Sequence, residues 1–353
     1  MKILIHHFDQ NAHAMLRFGR DIEILGIYDE RKELQGVDAG SFLGIGELGL
    51  KISGNFTELL KTHAKDADML VTTGEGLYFT KESNVEGWKE HIIEAIKAGL
   101  DIYTMSKIFY GEKTAKLKKL AEKSGVKFIE ASQPNAFEKY ENYALSAEKE
   151  GIKTRVVTFT GTSMNSGKMT AMLTVRNLLE RKGLKVGVLG TEPCSIFVGA
   201  DEQVVPEVLP TMRGAHAIFG AIKKIELEKK PDIILVGNQT GLRASATDVE
   251  KARAGAIVAW QILLGSKPQK IVLCSKWSNR AEIAPHLELI KHSINTQVIA
   301  LAINGFGCER EKLLGIIEDV EKEFGILALD VISTPEKLEK LLNSLTSDVK
   351  HPN

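Results

Sequence analysis

The stretch Gly161-Thr-Ser-Met-Asn-Ser-Gly-Lys-Met-Thr170 decides the fold of the C-terminal half of the chain. It follows a β-rich run, Val156–Thr160, and precedes a helical pattern, which is the context that a phosphate-binding loop requires. Glycines let successive main-chain N–H groups point at one phosphate, the helix N-terminus adds partial positive charge, and Lys168 adds a full charge. The sequence therefore predicts a P-loop that binds a nucleotide or a nucleotide-containing cofactor. Its predicted binding residues are Gly161, Thr162, Ser163, Met164, Asn165, Ser166, Gly167, Lys168, Met169 and Thr170.

Two features of the loop depart from the common G-x4-G-K-[ST] pattern. The loop is one residue longer, and Met169 stands where the Mg²⁺-binding Ser or Thr usually follows the lysine. Thr170 can act as a metal ligand only if the start of the helix is rotated. Mg²⁺ is therefore a possible rather than a required partner of this loop, and a glycine-rich turn with an exposed lysine is the structural alternative.

The carboxylates that a nucleotide-hydrolysing site needs are less clear. The predicted strand Asp232–Val236 is followed by Gly237, where related folds carry an acidic residue. A replacement could come from Glu192, Asp201 or Glu207, with Asp201 as the first choice and a solvated loop carboxylate as an equal alternative. Thr170 and Asp201 are therefore the predicted metal ligands. Lys168, Asp201 and Glu192 are the predicted catalytic residues, with Asp201 or Glu192 as a base.

Three further polar residues follow predicted strands. Gln239 and Arg243 lie beyond a central strand, in the crevice where open α/β sheets bind ligands, and are predicted substrate-binding residues. Arg243 could hold a substrate carboxylate, or it could be an ordinary surface arginine. Asn304, followed by Gly305, ends the strand Gln297–Ile303 and is a predicted cofactor-binding residue; a simple turn residue is the alternative.

Length and pattern predict two α/β domains in this chain of 353 residues, because single cores stop growing at about 250 to 300 residues. Short apolar runs alternate with amphipathic segments, as in parallel sheets with crossover helices. We expect a Rossmann-like N-terminal domain at 1–150, a doubly wound P-loop domain at 151–343 and a flexible tail at 344–353. The expected N-terminal strands are Lys2–His7, Ile22–Tyr28, Asp68–Thr72, Asp101–Thr104 and Lys127–Glu130.

Composition favours a cytoplasmic enzyme with a small-molecule partner. Lys plus Arg and Asp plus Glu both total 46, so the basic excess typical of nucleic-acid binding is missing. No apolar run approaches the roughly 18 residues of a membrane span, and the first residues do not resemble a signal peptide. The spacing of the three cysteines fits neither a disulfide set nor a zinc site. A homo-oligomer is expected for an α/β protein of this size.

The chain resembles a former domain-of-unknown-function family over nearly its whole length. The resemblance lies in the order of these motifs along the chain: the loop, Gly199-Ala-Asp201, Val236-Gly-Asn-Gln239, Arg243 and Asn304. That family pairs a Rossmann-like domain with a P-loop domain and includes the D-glutamate N-acetyltransferases. The longer loop also resembles that of dethiobiotin synthetase, in which an asparagine placed like Asn304 reads the base. Gly237 departs from the family pattern, which carries an acidic residue there.

The resemblance implies acetyl-CoA-dependent N-acetylation of D-glutamate or a similar D-amino acid. CoA carries a pyrophosphate and a ribose phosphate that the loop could hold without hydrolysis. Two alternatives stay open. One is an ATP-dependent ligase or kinase like dethiobiotin synthetase, in which Lys168 and Mg²⁺ neutralise the transferred phosphoryl group. The other is a nucleotide-sensing protein without turnover.

Overall fold

The computed structural model describes residues 1–73, 83–105, 112–132, 136–246, 249, 255–294 and 296–347. The chain divides into two compact units, of which the first comprises Met1–Gln133 with Pro193–Gly199 and the second Pro134–Glu192 with Ala200–Asn353. In both units the named strands pair in parallel. The predicted fold class, two parallel α/β units, is confirmed.

The first unit has the strand order β3-β2-β1-β4-β5-β6. The central strand β1 thus has β2 on one side and β4 on the other, which is the point where a Rossmann-like sheet reverses its order. The strands are Lys2–His6 (β1), Glu23–Tyr28 (β2), Ile52–Ser53 (β3), Met69–Thr72 (β4), Asp101–Thr104 (β5) and Phe128–Glu130 (β6). The helices are Gln10–Phe18 (α1), Ala39–Leu43 (α2), Phe56–His63 (α3), Ser83–Lys97 (α4) and Glu112–Lys123 (α5).

The second unit has the order β13-β12-β11-β7-β10-β8-β9. Its strands are Arg155–Gly161 (β7), Val186–Gly190 (β8), Glu202–Gln203 (β9), Ile233–Gly241 (β10), Lys270–Lys276 (β11), Gln297–Asn304 (β12) and Leu327–Leu329 (β13). Its helices are Ala136–Glu150 (α6), Lys168–Arg181 (α7), Thr211–Lys229 (α8), Gly255–Ser266 (α9), Ile283–Ser293 (α10), Arg310–Phe324 (α11) and Pro335–Thr346 (α12). Buried on both faces, the central strands read as near-continuous apolar runs.

Helix α6 belongs to the core of the second unit. Tyr140 is fully buried, and it shares one hydrophobic cluster with Ala136 of the same helix, Val156 of β7 and Ile222 of α8. The residues that we expected to close the first domain before residue 150 therefore pack with the P-loop sheet.

The apolar face of α12 explains where this helix ends. Leu338, Leu341, Leu342 and Leu345 recur at helical spacing and are all buried. Residues 344–346, which we expected in the tail, are thus part of a packed helix.

The segment Pro193–Gly199 is built into the first unit. The Phe197 ring lies 4.8 Å from that of Tyr103. The Tyr103 hydroxyl donates to the Pro193 carbonyl at 2.9 Å, and the Phe197 carbonyl accepts from the Arg20 N–H at 3.0 Å. Phe197 is 1% exposed and so forms part of the core of that unit.

None of the described helices combines the length and the hydrophobicity that a membrane span requires.

Candidate nucleotide-binding site

The P-loop connects the end of β7 at Gly161 to the start of α7 at Lys168. Thr162 anchors it to β11, because its N–H donates to the Cys274 carbonyl at 2.9 Å and its hydroxyl lies 3.0 Å from that of Ser275. A Cβ on Gly161 would overlap the Ser166 hydroxyl, so only glycine fits where the loop folds back on itself. The predicted strand-loop-helix arrangement is present.

Two left-handed residues shape the tip of the loop, and Asn304 supports both. Asn165 has φ +59° and Gly167 has φ +88°. The Asn304 side-chain N–H donates to the Asn165 carbonyl at 3.1 Å, and a Cβ on Gly167 would lie 3.0 Å from Asn304 Cβ. Non-glycine residues at positive φ are strained and need such support. The structure thus brings Asn304 to the loop, where it holds the main chain.

Lys168 is buried, with 6% of its surface exposed. Its ammonium donates to the Ser163 carbonyl at 2.9 Å and lies 3.4 Å from the Ser166 hydroxyl. Burial lowers the pKa of Lys168, while the carboxylate of Glu192 acts in the opposite direction. The ammonium is therefore held inside the loop by oxygen acceptors of the loop itself.

Strand β10 carries an irregularity beside the loop. Gly237 pairs with Phe159 and Gly241 with Gly161, so four steps along β10 correspond to two along β7. Such bulges are common next to active sites. A Cβ on Gly237 would meet Met172 at an ordinary 3.5 Å, so packing does not forbid the side chain that related folds carry there.

The bulge buries two amide side chains. Asn238 donates to the Thr160 hydroxyl and to the Ala259 carbonyl, each at 3.0 Å. Gln239, a predicted substrate-binding residue, is 3% exposed and donates to the Thr191 carbonyl at 2.6 Å. The Gln239 N–H group therefore ties β10 to the segment that follows β8.

The two predicted catalytic carboxylates lie in different places. Glu192 lies two residues after the end of β8 and is near enough to influence the pKa of Lys168. Asp201 instead pairs with Lys229 at 2.7 Å and accepts from the Val188 N–H at 2.8 Å, in the middle of β8. Asp201 directly precedes β9, which is the third strand from β7 in the sheet. At the usual spacing between strands, β9 lies about 14 Å from β7. The structure brings Glu192 to the loop but not Asp201.

The predicted metal ligands do not meet. Thr170 is half-buried in the first turn of α7, and Asp201 lies at the distant β9. Among the residues that the structure describes, no group of three or more His, Cys, Asp or Glu side chains could hold a metal ion. Any Mg²⁺ here would depend on Glu192, water and the phosphates of a ligand, a coordination that Mg²⁺ accepts.

Arg243 forms part of a small charged group that includes two residues not predicted from the sequence. Arg243 is 45% exposed at its side chain and lies 3.0 Å from the Glu282 carboxylate. His286 Nδ1 is 2.7 Å from the Glu282 carbonyl and 3.6 Å from its carboxylate. The spacing of Glu282 and His286, four residues apart, is the sequence signal that would have paired them.

His286 is fully buried beside the loop. A Cβ on Gly241 would lie 3.2 Å from His286 Nε2, and Gly241 itself packs on the Thr162 carbonyl. His286 Nε2 has no hydrogen-bond partner among the described residues. Burial lowers the pKa of His286, while its bond to the Glu282 carbonyl acts in the opposite direction.

Comparison with protein families matches both halves of the chain. Residues 143–341 match the family described as "Domain of unknown function (DUF1611_C) P-loop domain". Residues 32–134 match the one described as "Domain of unknown function (DUF1611_N) Rossmann-like domain". No curated protein matches the sequence.

One similar solved structure spans nearly the whole chain. It is a DUF1611 family protein from Anabaena variabilis ATCC 29413, with a TM-score of 0.72 and 15% identity, covering 98% of this chain and 99% of that one. At this identity the similarity shows the fold alone.

Two smaller proteins resemble part of the chain. Cobyrinic acid a,c-diamide synthase from Mycobacterium smegmatis, with bound ADP and magnesium, has 13% identity, covers 57% of this chain and 98% of its own, and has a TM-score of 0.38. A nucleotide-binding protein from Archaeoglobus fulgidus, in complex with ADP, has 13% identity, 61% and 94% coverage, and a TM-score of 0.33. Similarities this weak support no inference about function.

Proposed function

The chain belongs to the DUF1611 family, and from this we propose that its P-loop domain is an enzyme domain that binds the phosphates of ATP or CoA. The observation that carries the proposal is the loop itself. Lys168 is buried among loop oxygens at the first residue of α7, and Asn304 holds the left-handed turn before it. A helix N-terminus with an adjacent ammonium is the arrangement that binds phosphate in P-loop proteins.

For the reaction, we favour acetyl-CoA-dependent N-acetylation of D-glutamate or a similar acidic D-amino acid. Transfer from CoA needs no hydrolysis of the phosphates, which fits a site with glycine at position 237. The amine nitrogen would attack the thioester carbonyl carbon, the carbon–sulfur bond would break, and the CoA sulfur would leave. A base must take the amine proton, and Glu192 is better placed than Asp201, which is paired with Lys229.

Arg243 would supply the recognition of the acidic acceptor. Its guanidinium, 45% exposed, is paired with Glu282 in this structure. A substrate carboxylate can compete for the same donors, because arginine binds carboxylates through two parallel N–H groups.

A second candidate is an ATP-dependent ligase or kinase, favoured by one observation. Glu192 is near enough to Lys168 to act on its charge, and one carboxylate together with phosphate oxygens and water suffices for Mg²⁺ in many phosphoryl-transfer sites. Bound Mg²⁺ would neutralise charge on the transferred phosphoryl group.

The test supplies the protein with acetyl-CoA and a panel of D- and L-amino acids, and in parallel with Mg-ATP and the same acceptors. Release of free thiol with D-glutamate or D-aspartate supports acetyl transfer. Phosphate release instead supports the ligase. Nucleotide binding with neither product identifies the sensing protein that the sequence left open.

Lys168→Ala, with Lys168→Arg as the charge-preserving control, tests the shared premise. We expect Lys168→Ala to weaken ATP and CoA binding by roughly 10-fold or more, because a charge-assisted hydrogen bond contributes about 1.5 to 3 kcal/mol. Circular dichroism checks that the variant folds. Unchanged affinity for both ligands would sink the P-loop proposal.

A further inference from the structure

Three apolar side chains lie beyond the carboxyl ends of adjacent strands on one side of the P-loop. Trp277 follows β11, Phe306 follows β12 and Ile332 follows β13, and these strands succeed one another outward from β7. Phe306 is 69% exposed and Ile332 64% exposed, while Trp277 is half-buried. We call these three residues the apolar ledge.

The main chain of the ledge is fixed although its side chains are exposed. The Phe306 N–H donates to Asn304 Oδ1 at 3.1 Å, and the Phe306 carbonyl accepts from the Trp277 indole N–H at 3.2 Å. The N–H groups of Gly305 and Ile332 both donate to the Asp330 carboxylate, at 3.2 and 2.9 Å. Because the main chain is already ordered, binding of a planar ligand to the Phe306 ring would have to order only the side chain.

The apolar ledge lies next to the residue that contacts the P-loop. Asn304, two residues before Phe306, donates to the Asn165 carbonyl of the loop and abuts Gly167. Phe306 therefore lies close in sequence to the side chain that contacts the phosphate-binding turn, on the side of the sheet formed by β11, β12 and β13. Lys312, whose ammonium lies 4.7 Å from the Trp277 ring, adds positive charge that suits a phosphorylated ligand.

We propose that the apolar ledge binds the adenine ring that ATP and CoA share, with Phe306 as its stacking surface. The inference rests on the proposed function, since it requires phosphates in the P-loop. It also gives Asn304 a different role from reading the base. Both ends of the Asn304 amide are bonded to main chain, so Asn304 positions the loop and the ledge, and the base stacks next to it.

The test measures binding of ATP, CoA and tripolyphosphate, which has no base, by calorimetry. The variants are Phe306→Ala, Phe306→Trp and Leu227→Ala. Leu227 is a control because it is an exposed apolar residue, 45% exposed, in the last turn of α8, two residues before Lys229, which pairs with Asp201 beside β9. Because removing an aromatic partner costs about 1 to 3 kcal/mol per base, Phe306→Ala should weaken binding of the adenine ligand roughly 5- to 150-fold.

Tripolyphosphate affinity should stay unchanged in Phe306→Ala, and Phe306→Trp should retain adenine binding. A loss confined to ATP or confined to CoA identifies which of the two the site takes. The inference is overturned if Phe306→Ala binds both adenine ligands as wild type does, or if it loses tripolyphosphate equally. If wild type binds tripolyphosphate through Lys168 while Phe306→Ala leaves the affinity for every ligand unchanged, the apolar ledge does not bind adenine and the proposed function stands. If wild type binds none of the three ligands, both are overturned.

Discussion

Asn304 and Asn165 are 139 residues apart in the chain, yet the side-chain N–H of Asn304 donates to the main-chain carbonyl of Asn165 at 3.1 Å. Asn165 is one of the residues with positive φ, and it sits at the tip of the P-loop. A side chain at the end of β12 therefore stabilises a turn that begins at β7, two strands away.

Replacing Asn304 by alanine should loosen the loop without unfolding the domain. Loss of the bond to the Asn165 carbonyl costs about 1 kcal/mol, so we expect tripolyphosphate affinity to fall roughly 5-fold. ATP affinity should fall by at least as much, because Phe306 also loses its bond to Asn304. Calorimetry with both ligands measures this. A decrease for ATP alone would mean that Asn304 contacts the base, and that its hydrogen bond to Asn165 does not stabilise the phosphate-binding loop.

Substitutions of the two predicted catalytic carboxylates, Glu192 and Asp201, should have different effects on ligand binding. Glu192→Gln should reduce the Mg²⁺-dependent part of ATP binding, because Glu192 is near Lys168. Asp201→Asn should leave ligand binding unchanged and lower stability by about 1 kcal/mol or less, as expected for a partly exposed ion pair. Calorimetry of ATP binding with and without Mg²⁺ distinguishes the two variants. A loss of Mg²⁺ dependence in Asp201→Asn but not in Glu192→Gln would reverse the assignment.

Arg243→Ala should raise KM for an acidic acceptor about 10-fold and leave KM for the acyl donor nearly unchanged. The magnitude is modest because the Arg243 side chain is 45% exposed, and solvent weakens its ion pairs. Arg280→Ala is the control, since the Arg280 side chain is 40% exposed and also forms ion pairs, with Asp319 and Glu323. Equal effects of the two substitutions would remove Arg243 from the acceptor site.

The first unit should lose stability in mild acid through His13. Burial lowers the pKa of His13 to about 4, with the charges of Arg31 and Arg17 adding to the effect. The folded state keeps His13 neutral while the unfolded state takes up a proton below about pH 6.5. Stability from this group is therefore complete above pH 6.5 and declines as the pH falls towards 4, by up to about 3 kcal/mol.

Urea denaturation between pH 7.5 and 4.5 measures this slope. His13→Phe should flatten it, because the ring packs on Phe8 at 4.5 Å and, among the residues that the structure describes, none bonds to His13 Nε2. His292→Phe, at a side chain 73% exposed, is the control. An unchanged slope in His13→Phe would show that other groups cause the acid sensitivity.

Local pattern located the five strands expected in the N-terminal half to within one residue at each end, but it did not predict β3. Asp101–Thr104 is the predicted strand without change, because buried parallel strands are short apolar runs bounded by polar residues. The predicted strand Asp232–Val236 was too short, and β10 continues to Gly241. Gly237-Asn-Gln-Thr-Gly241 has the composition of a turn, and it stays extended because Thr160, Thr191 and Ala259 accept hydrogen bonds from its buried amides.

The site could be predicted only where its parts are contiguous. The P-loop is one stretch of sequence, so its strand, turn and helix were visible together. The burial of Lys168 depends on the fold of the loop over it, and the group of Arg243, Glu282 and His286 joins two separate segments. Distances between segments come from packing, which no single-sequence pattern contains.

The place of Pro193–Gly199 in the first unit has a consequence for how the protein can be divided. Because this segment leaves the second unit and returns to it, the chain passes between the units at three points. A fragment ending near residue 133 would lack Phe197, which fills its core against Tyr103. Such a fragment should aggregate or be degraded, whereas a fragment supplemented with the 193–199 peptide should regain solubility. Gene fusion or exchange of one domain would therefore have to carry both pieces together.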